Sequence, residues 1–111
     1  MLTQQQLDKL ETKLTAAVEA HLASGGKLTA GSFHFNLPDG EECLCPIACL
    51  TKGSPLSYED AISYKVGFSI TWNEMWELVM GFDGKGSNEN AIWLLGLKLR
   101  QKYNDRITTR G

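Results

Sequence analysis

The chain has 111 residues, 42% of them apolar and 22% charged, with a formal net charge of −2. That length suits one domain with a single real core, and the composition argues against disorder. The charge is too small to point to a polyanionic partner, and no stretch approaches the roughly eighteen apolar residues of a membrane span.

Charge is unevenly distributed along the sequence. Between Asp39 and Glu89 lie nine acidic residues and three lysines, whereas from Lys98 onward five basic residues face Asp105 alone. No basic segment followed by an apolar one opens the chain, so no signal peptide is expected. Three cysteines, an odd number, suit reduced thiols in a cytoplasm better than a secreted disulfide framework.

Thr3-Gln4-Gln5-Gln6 has the form of a capping box, stapled by Leu2 and Leu7. Leu7, Leu10, Leu14, Val18 and Leu22 then make one apolar stripe, which predicts a helix over 4–23 ended by Gly25-Gly26. Its near-heptad spacing is too short for a coiled coil, so packing on its own domain is favoured. Ser32 to Cys45 reads as a β-hairpin: Phe33 and Phe35 alternate with His34 and Asn36, and Leu37-Pro38-Asp39-Gly40 makes the turn. A lone hairpin is marginal in water, so its phenylalanine face needs helices to lie on. Pro46 fits the first position of a short helix that Gly53 stops.

Ser57 caps the next helix, with Glu59 and Asp60 in its first turn and Gly67 as its stop. Thr71-Trp72-Asn73-Glu74 is a second capping box. After it, Trp72, Met75, Trp76, Val79 and Met80 recur at helical spacing. Gly81 to Asn90 reads as a connecting loop. The last helix is expected from near Asn88–Asn90 to about Asn104, with Ile92, Leu95, Leu99 and Tyr103 as its main stripe. Gly96 would allow a neighbouring helix close. The chain is one compact domain over 1–111, with a frayed tail from about 105.

Three sets of residues are candidates for chemistry or contact. Cys43, Cys45 and Cys49 with His34 form the densest group of metal-type donors, yet CxCxxxC is not a zinc-knuckle spacing, and small buried hydrophobes are the commoner state of free cysteine. Cys45, at a helix start, would have its thiol pKa lowered by the helix dipole, with His34 as the available base. Gly84, Lys85, Gly86 and Ser87 lead into a helix N-terminus that could hold an anion, although the loop lacks the order of a P-loop and fails the calcium-loop pattern. Trp93, Leu94 and Leu97 widen the last helix's apolar surface, and they form an interaction patch if 111 residues cannot bury them all. The basic C-terminal segment has no interleaved aromatics and the pI is near 5.6, so nucleic-acid contact is disfavoured.

Cys-Pro-Ile-Ala at 45–48, Gly-Phe-Asp-Gly at 81–84 and Leu-Gly-Leu-Lys-Leu-Arg at 95–100 followed by Tyr103 resemble a pattern in small uncharacterised bacterial and phage proteins. The resemblance covers about the second half of the chain. It implies a bacterial or phage origin and assigns no role to any residue.

The expected fold is α+β and mainly α, four to five helices with one β-hairpin packed on them. The expected core is Trp72, Trp76, Ile92, Leu95, Leu99, Phe33, Phe35, Ile62 and Val66. No catalytic signature is present and no cofactor is called for. The expected role is therefore a small non-enzymatic interaction module whose partner is another protein or a second copy. A thiol or metal site is the alternative.

Overall fold

The computed structural model describes residues 2–86 and 90–108. Over these the chain is α+β and mainly α, with five α-helices, a 3-10 turn and a small mixed sheet. Helix α1 (Gln4–Ala23) starts where its caps say it should. Thr3 Oγ1 accepts from the Gln6 N–H at 3.1 Å, and the Gln6 side chain accepts from the Thr3 N–H at 2.9 Å. Leu10, Leu14 and Val18 form its fully buried stripe. His21 continues that stripe and donates from Nε2 to the Lys27 carbonyl at 2.9 Å, since a carbonyl can only accept. Gly26 lies flat against the imidazole: a Cβ there would fall 2.1 Å from Cε1. The end of α1 is thereby tied to the first strand.

The sheet comprises β1 (Lys27–Thr29), β2 (His34–Asn36), β3 (Glu42–Leu44) and β4 (Ile107–Thr108), in the order β2-β3-β1-β4. The expected hairpin is β2–β3, antiparallel, with His34 opposite Leu44 and Phe35 opposite Cys43. Its turn is closed by Leu37 donating to the Glu41 carbonyl at 2.9 Å and by Asp39 Oδ1 accepting from the Glu41 N–H. The hairpin belongs to a wider sheet, because β1 runs parallel to both β3 and β4. Residues 107–108, expected to fray, are held by this pairing with Leu28 and Thr29.

Helix α2 (Pro46–Thr51) is short, and all six of its residues are buried beneath α1 and α3. Helix α3 (Tyr58–Val66) buries Ala61, Ile62 and Val66 and ends at Gly67 with φ +83°, a left-handed position that glycine adopts without a Cβ penalty. Ser57 stands at its N-cap but makes no side-chain capping bond. Ser63 Oγ instead accepts from the Ile70 N–H at 2.8 Å and fastens the corner into the next helix.

Helix α4 (Trp72–Asp83) opens on the second capping box, with Thr71 Oγ1 accepting from Glu74 N–H at 3.1 Å. It runs one turn further than expected, through Gly81. Helix α5 (Ala91–Lys102) starts at Asn90, whose side chain accepts from the Trp93 N–H at 2.8 Å. The two helices cross at their glycines. A Cβ on Gly81 would lie 2.0 Å from the Trp93 carbonyl oxygen, and one on Gly96 2.2 Å from that of Leu78.

This contact decides which face of α4 is inside. Met75, Leu78 and Phe82 are buried, while Trp72 is 50% and Trp76 37% exposed. The two tryptophans expected in the core are therefore on the surface. Helix α4 carries two apolar stripes, and the one containing Gly81 and Leu78 faces α5 because only it permits such close approach. Ile92, Leu95, Leu99, Phe35, Ile62 and Val66 are buried as expected, and Phe33 is half-buried.

Candidate functional site

The exposed stripe of α4 is Trp72, Trp76 and Met80, at i, i+4 and i+8. Such spacing stacks three side chains along one line of the helix. The line continues off the helix as a row of rings. Trp72 meets Trp76 edge-on at 5.5 Å, Trp76 meets Phe33 edge-on at 5.9 Å, and Phe33 stacks on Tyr58 at 4.4 Å. Four aromatic residues from α4, the segment before β2 and the start of α3 thus form one partly exposed surface. Edge-to-face and stacked pairs of this kind contribute about 0.5–1.5 kcal/mol each beyond area burial, so the row is pre-ordered rather than loose.

Two hollows flank it. One, of about 360 Å³, lies between Trp76, Met80, Lys85 and Trp93. The other, of about 400 Å³, is floored by Leu2, Leu7 and Ile92, where the ends of α1, α4 and α5 meet. Asn73 and Glu77 line both, so the hollows adjoin along α4. Asn90 Nδ2 donates to Glu77 Oε2, and Trp93 Nε1 donates to the Lys85 carbonyl at 3.1 Å.

Of the patch expected at Trp93, Leu94 and Leu97, Leu94 is 46% exposed, while the other two are half-buried against α4. The expected anion loop is only partly described. Gly84 is the left-handed C-cap of α4, with its N–H directed to the carbonyls of Gly81 and Met80. Ser87 lies outside the described residues. The basic residues of α5 have local partners. Lys98 pairs with Glu11 at 2.9 Å, Arg100 Nη1 donates to the Phe82 carbonyl at 2.8 Å, and Lys102 sits 5.6 Å from the Tyr103 ring centroid.

The thiols are packed in the interior, the commoner state of free cysteine. Cys45 does cap α2, its Sγ accepting from the Ala48 N–H at 3.4 Å. All three cysteines are free and buried. Burial pushes the Cys45 and Cys49 thiols up from 9.0 to about 12, outweighing the backbone N–H donors that act to lower Cys45. Cys43 is raised too, again by burial. Such thiols are poor nucleophiles at neutral pH.

His34 does not serve them. The strand register places it opposite Leu44, on the other face of the hairpin from Cys43. There it sits 3.7 Å from Glu42, in a polar cleft with Lys52, Ser54 and Tyr58. The 2.7 Å contact from Lys52 holds the Glu42 carboxyl below its usual range. Among the described residues no group of three or more His, Cys, Asp or Glu side chains converges as a metal site.

Two measurements check the thiol assignment. At neutral pH a thiol reagent should modify the folded protein far more slowly than a model thiol, and all three cysteines at the ordinary rate in denaturant. The pH dependence has a definite sign. A thiol whose folded pKa is raised contributes stability below pH 9 that is lost as pH climbs from 9 towards 12. Tyr103, pushed from 10.0 to about 12 by burial and by its hydrogen bond to Glu19, acts in the same direction. The melting temperature should fall through that window.

Among the described residues no helix is long and apolar enough to cross a membrane. Compared with protein-family models, with curated proteins and with solved structures, the chain matches none.

Sequence reasoning passed over the α4 row, because tryptophans at helical spacing suggest core. The available signal was Gly81. A glycine inside an otherwise strong helix costs about 1 kcal/mol relative to alanine, which suggests that its face is needed for close packing.

Proposed function

We propose that the chain is a non-enzymatic protein-binding module whose contact surface is the aromatic row on α4. The observation that carries this reading is the exposure of Trp72, Trp76 and Met80 in one line, continued by Phe33 and Tyr58. Tryptophan and tyrosine are enriched among residues that dominate binding energy, and methionine is enriched at interface cores. A contiguous exposed patch of this kind marks an interaction site more often than chance. Asn73, Glu77 and Lys85 beside it supply the polar rim that such surfaces carry.

The motif resemblance supports a bacterial or phage origin, and we read the module as an accessory or inhibitor protein there. Three free, buried thiols support a reducing, cytoplasmic setting. The test compares proteins captured from a host extract by the wild type, by Trp72→Ala/Trp76→Ala and by Lys13→Ala on the outer face of α1. Loss of one wild-type partner by about tenfold or more in the tryptophan variant alone is expected. An identical set of captured proteins on all three contradicts the reading.

A further inference from the structure

Sulfur is divided unevenly between the interior and the surface of this fold. Five sulfur-bearing side chains lie among the described residues. Cys43, Cys45, Cys49 and Met75 are buried, and Met80 alone is open to solvent, at 37% exposure. Met80 is also the last member of the exposed line on α4, one turn beyond Trp76. With Trp76 and Trp93 it walls the hollow beside that line. The fold thus shields every described sulfur except the one on the contact surface.

We propose that Met80 is a reversible oxidation site through which peroxide weakens binding at the α4 surface. The proposal rests on that surface being the contact face, and it adds the regulation of the same site. A thioether reacts through its own lone pair and needs no deprotonation, so exposure governs its rate. The sulfur lone pair attacks one peroxide oxygen as the O–O bond breaks. Sulfur loses two electrons and gains the oxygen, and the departing hydroxide takes the proton of the transferred hydroxyl to become water. The thiols do not compete. Peroxide acts on the thiolate, and with a pKa of about 12 only about one part in 100,000 of Cys45 and Cys49 is in that form at neutral pH. Met75, 1% exposed, is out of reach in the core. Oxidation turns the flexible apolar side chain of Met80 into a polar one with a strong acceptor oxygen. A partner's apolar atoms would then strip water from that oxygen without giving it a donor, which costs binding energy. Because Met80 is half-exposed, the fold survives the change, and a sulfoxide reductase can reach the sulfur and reverse it.

Peptide mapping by mass spectrometry, with the folded protein under hydrogen peroxide at neutral pH, tests the chemistry. One oxygen should appear on Met80 at least about tenfold faster than on Met75, with the three cysteines unmodified over the same time. In denaturant the two methionines should react alike. Oxidation of Met75, or of any cysteine, as fast as Met80 in the folded protein overturns the proposal. Capture from a host extract tests the consequence. Protein oxidised at Met80 should keep its circular dichroism spectrum and lose, by about tenfold or more, the partner that Trp72→Ala/Trp76→Ala loses. Methionine sulfoxide reductase should restore capture, and Met80→Leu should capture alike before and after peroxide. Undiminished capture by the oxidised protein, while the tryptophan variant still loses its partner, overturns the regulation and leaves the α4 surface standing. A tryptophan variant that captures the same proteins as the wild type removes the surface itself, and the regulation with it.

Discussion

Replacing Gly96 with alanine is expected to lower stability by about 3 kcal/mol or more, seen as a drop of roughly 10 °C or more in melting temperature. The added methyl would meet the Leu78 carbonyl oxygen at 2.2 Å and the Phe82 nitrogen at 2.8 Å. Both obstacles are backbone atoms in the middle of a helix, so no side-chain rotation relieves them. The helices must separate, and separation opens the contact that buries Leu78, Phe82, Ile92 and Leu95. Gly81→Ala should act alike, through the Trp93 carbonyl. Thermal unfolding followed by circular dichroism reads the effect. A Gly96→Ala protein melting within a few degrees of wild type would mean that the helices are not so close.

Leu14→Ala should cost about 2–5 kcal/mol by leaving a cavity. Leu14 is fully buried at the midpoint of the α1 stripe, and α1 packs on α2, α3, α5 and β1. Collapse around the missing atoms would need several of these to move together, which favours the upper part of that range. A denaturant titration should show a lowered midpoint with unchanged slope. Leu94→Ala, a substitution of the same kind on the exposed face of α5, should stay within about 0.5 kcal/mol. Equal losses at the two sites would invert the assignment of inside and outside.

The parts of this fold that the sequence makes legible are those set by neighbours along the chain. Thr3 with Gln6 and Thr71 with Glu74 announce two helix starts, because a capping box satisfies backbone donors within four residues. Pro46 and Gly67 mark a start and a stop by their own backbone limits. The β2–β3 hairpin is legible through its turn. Strands β1 and β4 are not, since three and two residues show no alternation and Leu28 pairs with Ile107 from the far end of the chain.

The candidate site was harder to read for a related reason. Periodicity shows that α4 has apolar faces but not which of them is covered. That choice was made by Gly81 and Gly96, residues whose information lies in the side chain they lack. Cys45 shows the complementary failure. Its place at the start of α2 was legible, but the burial that raises its pKa depends on the helices that close over α2.

Thermal unfolding of the Trp72→Ala/Trp76→Ala variant decides whether these tryptophans serve contact or folding. Half-exposed and joined to the fold by a few ring contacts, they should together contribute no more than about 2 kcal/mol, so the variant is expected to melt within about 8 °C of wild type. Two tryptophans in a core would cost about 3–5 kcal/mol each. A fall of more than about 15 °C would place them inside the protein and remove the surface on which the proposed function stands.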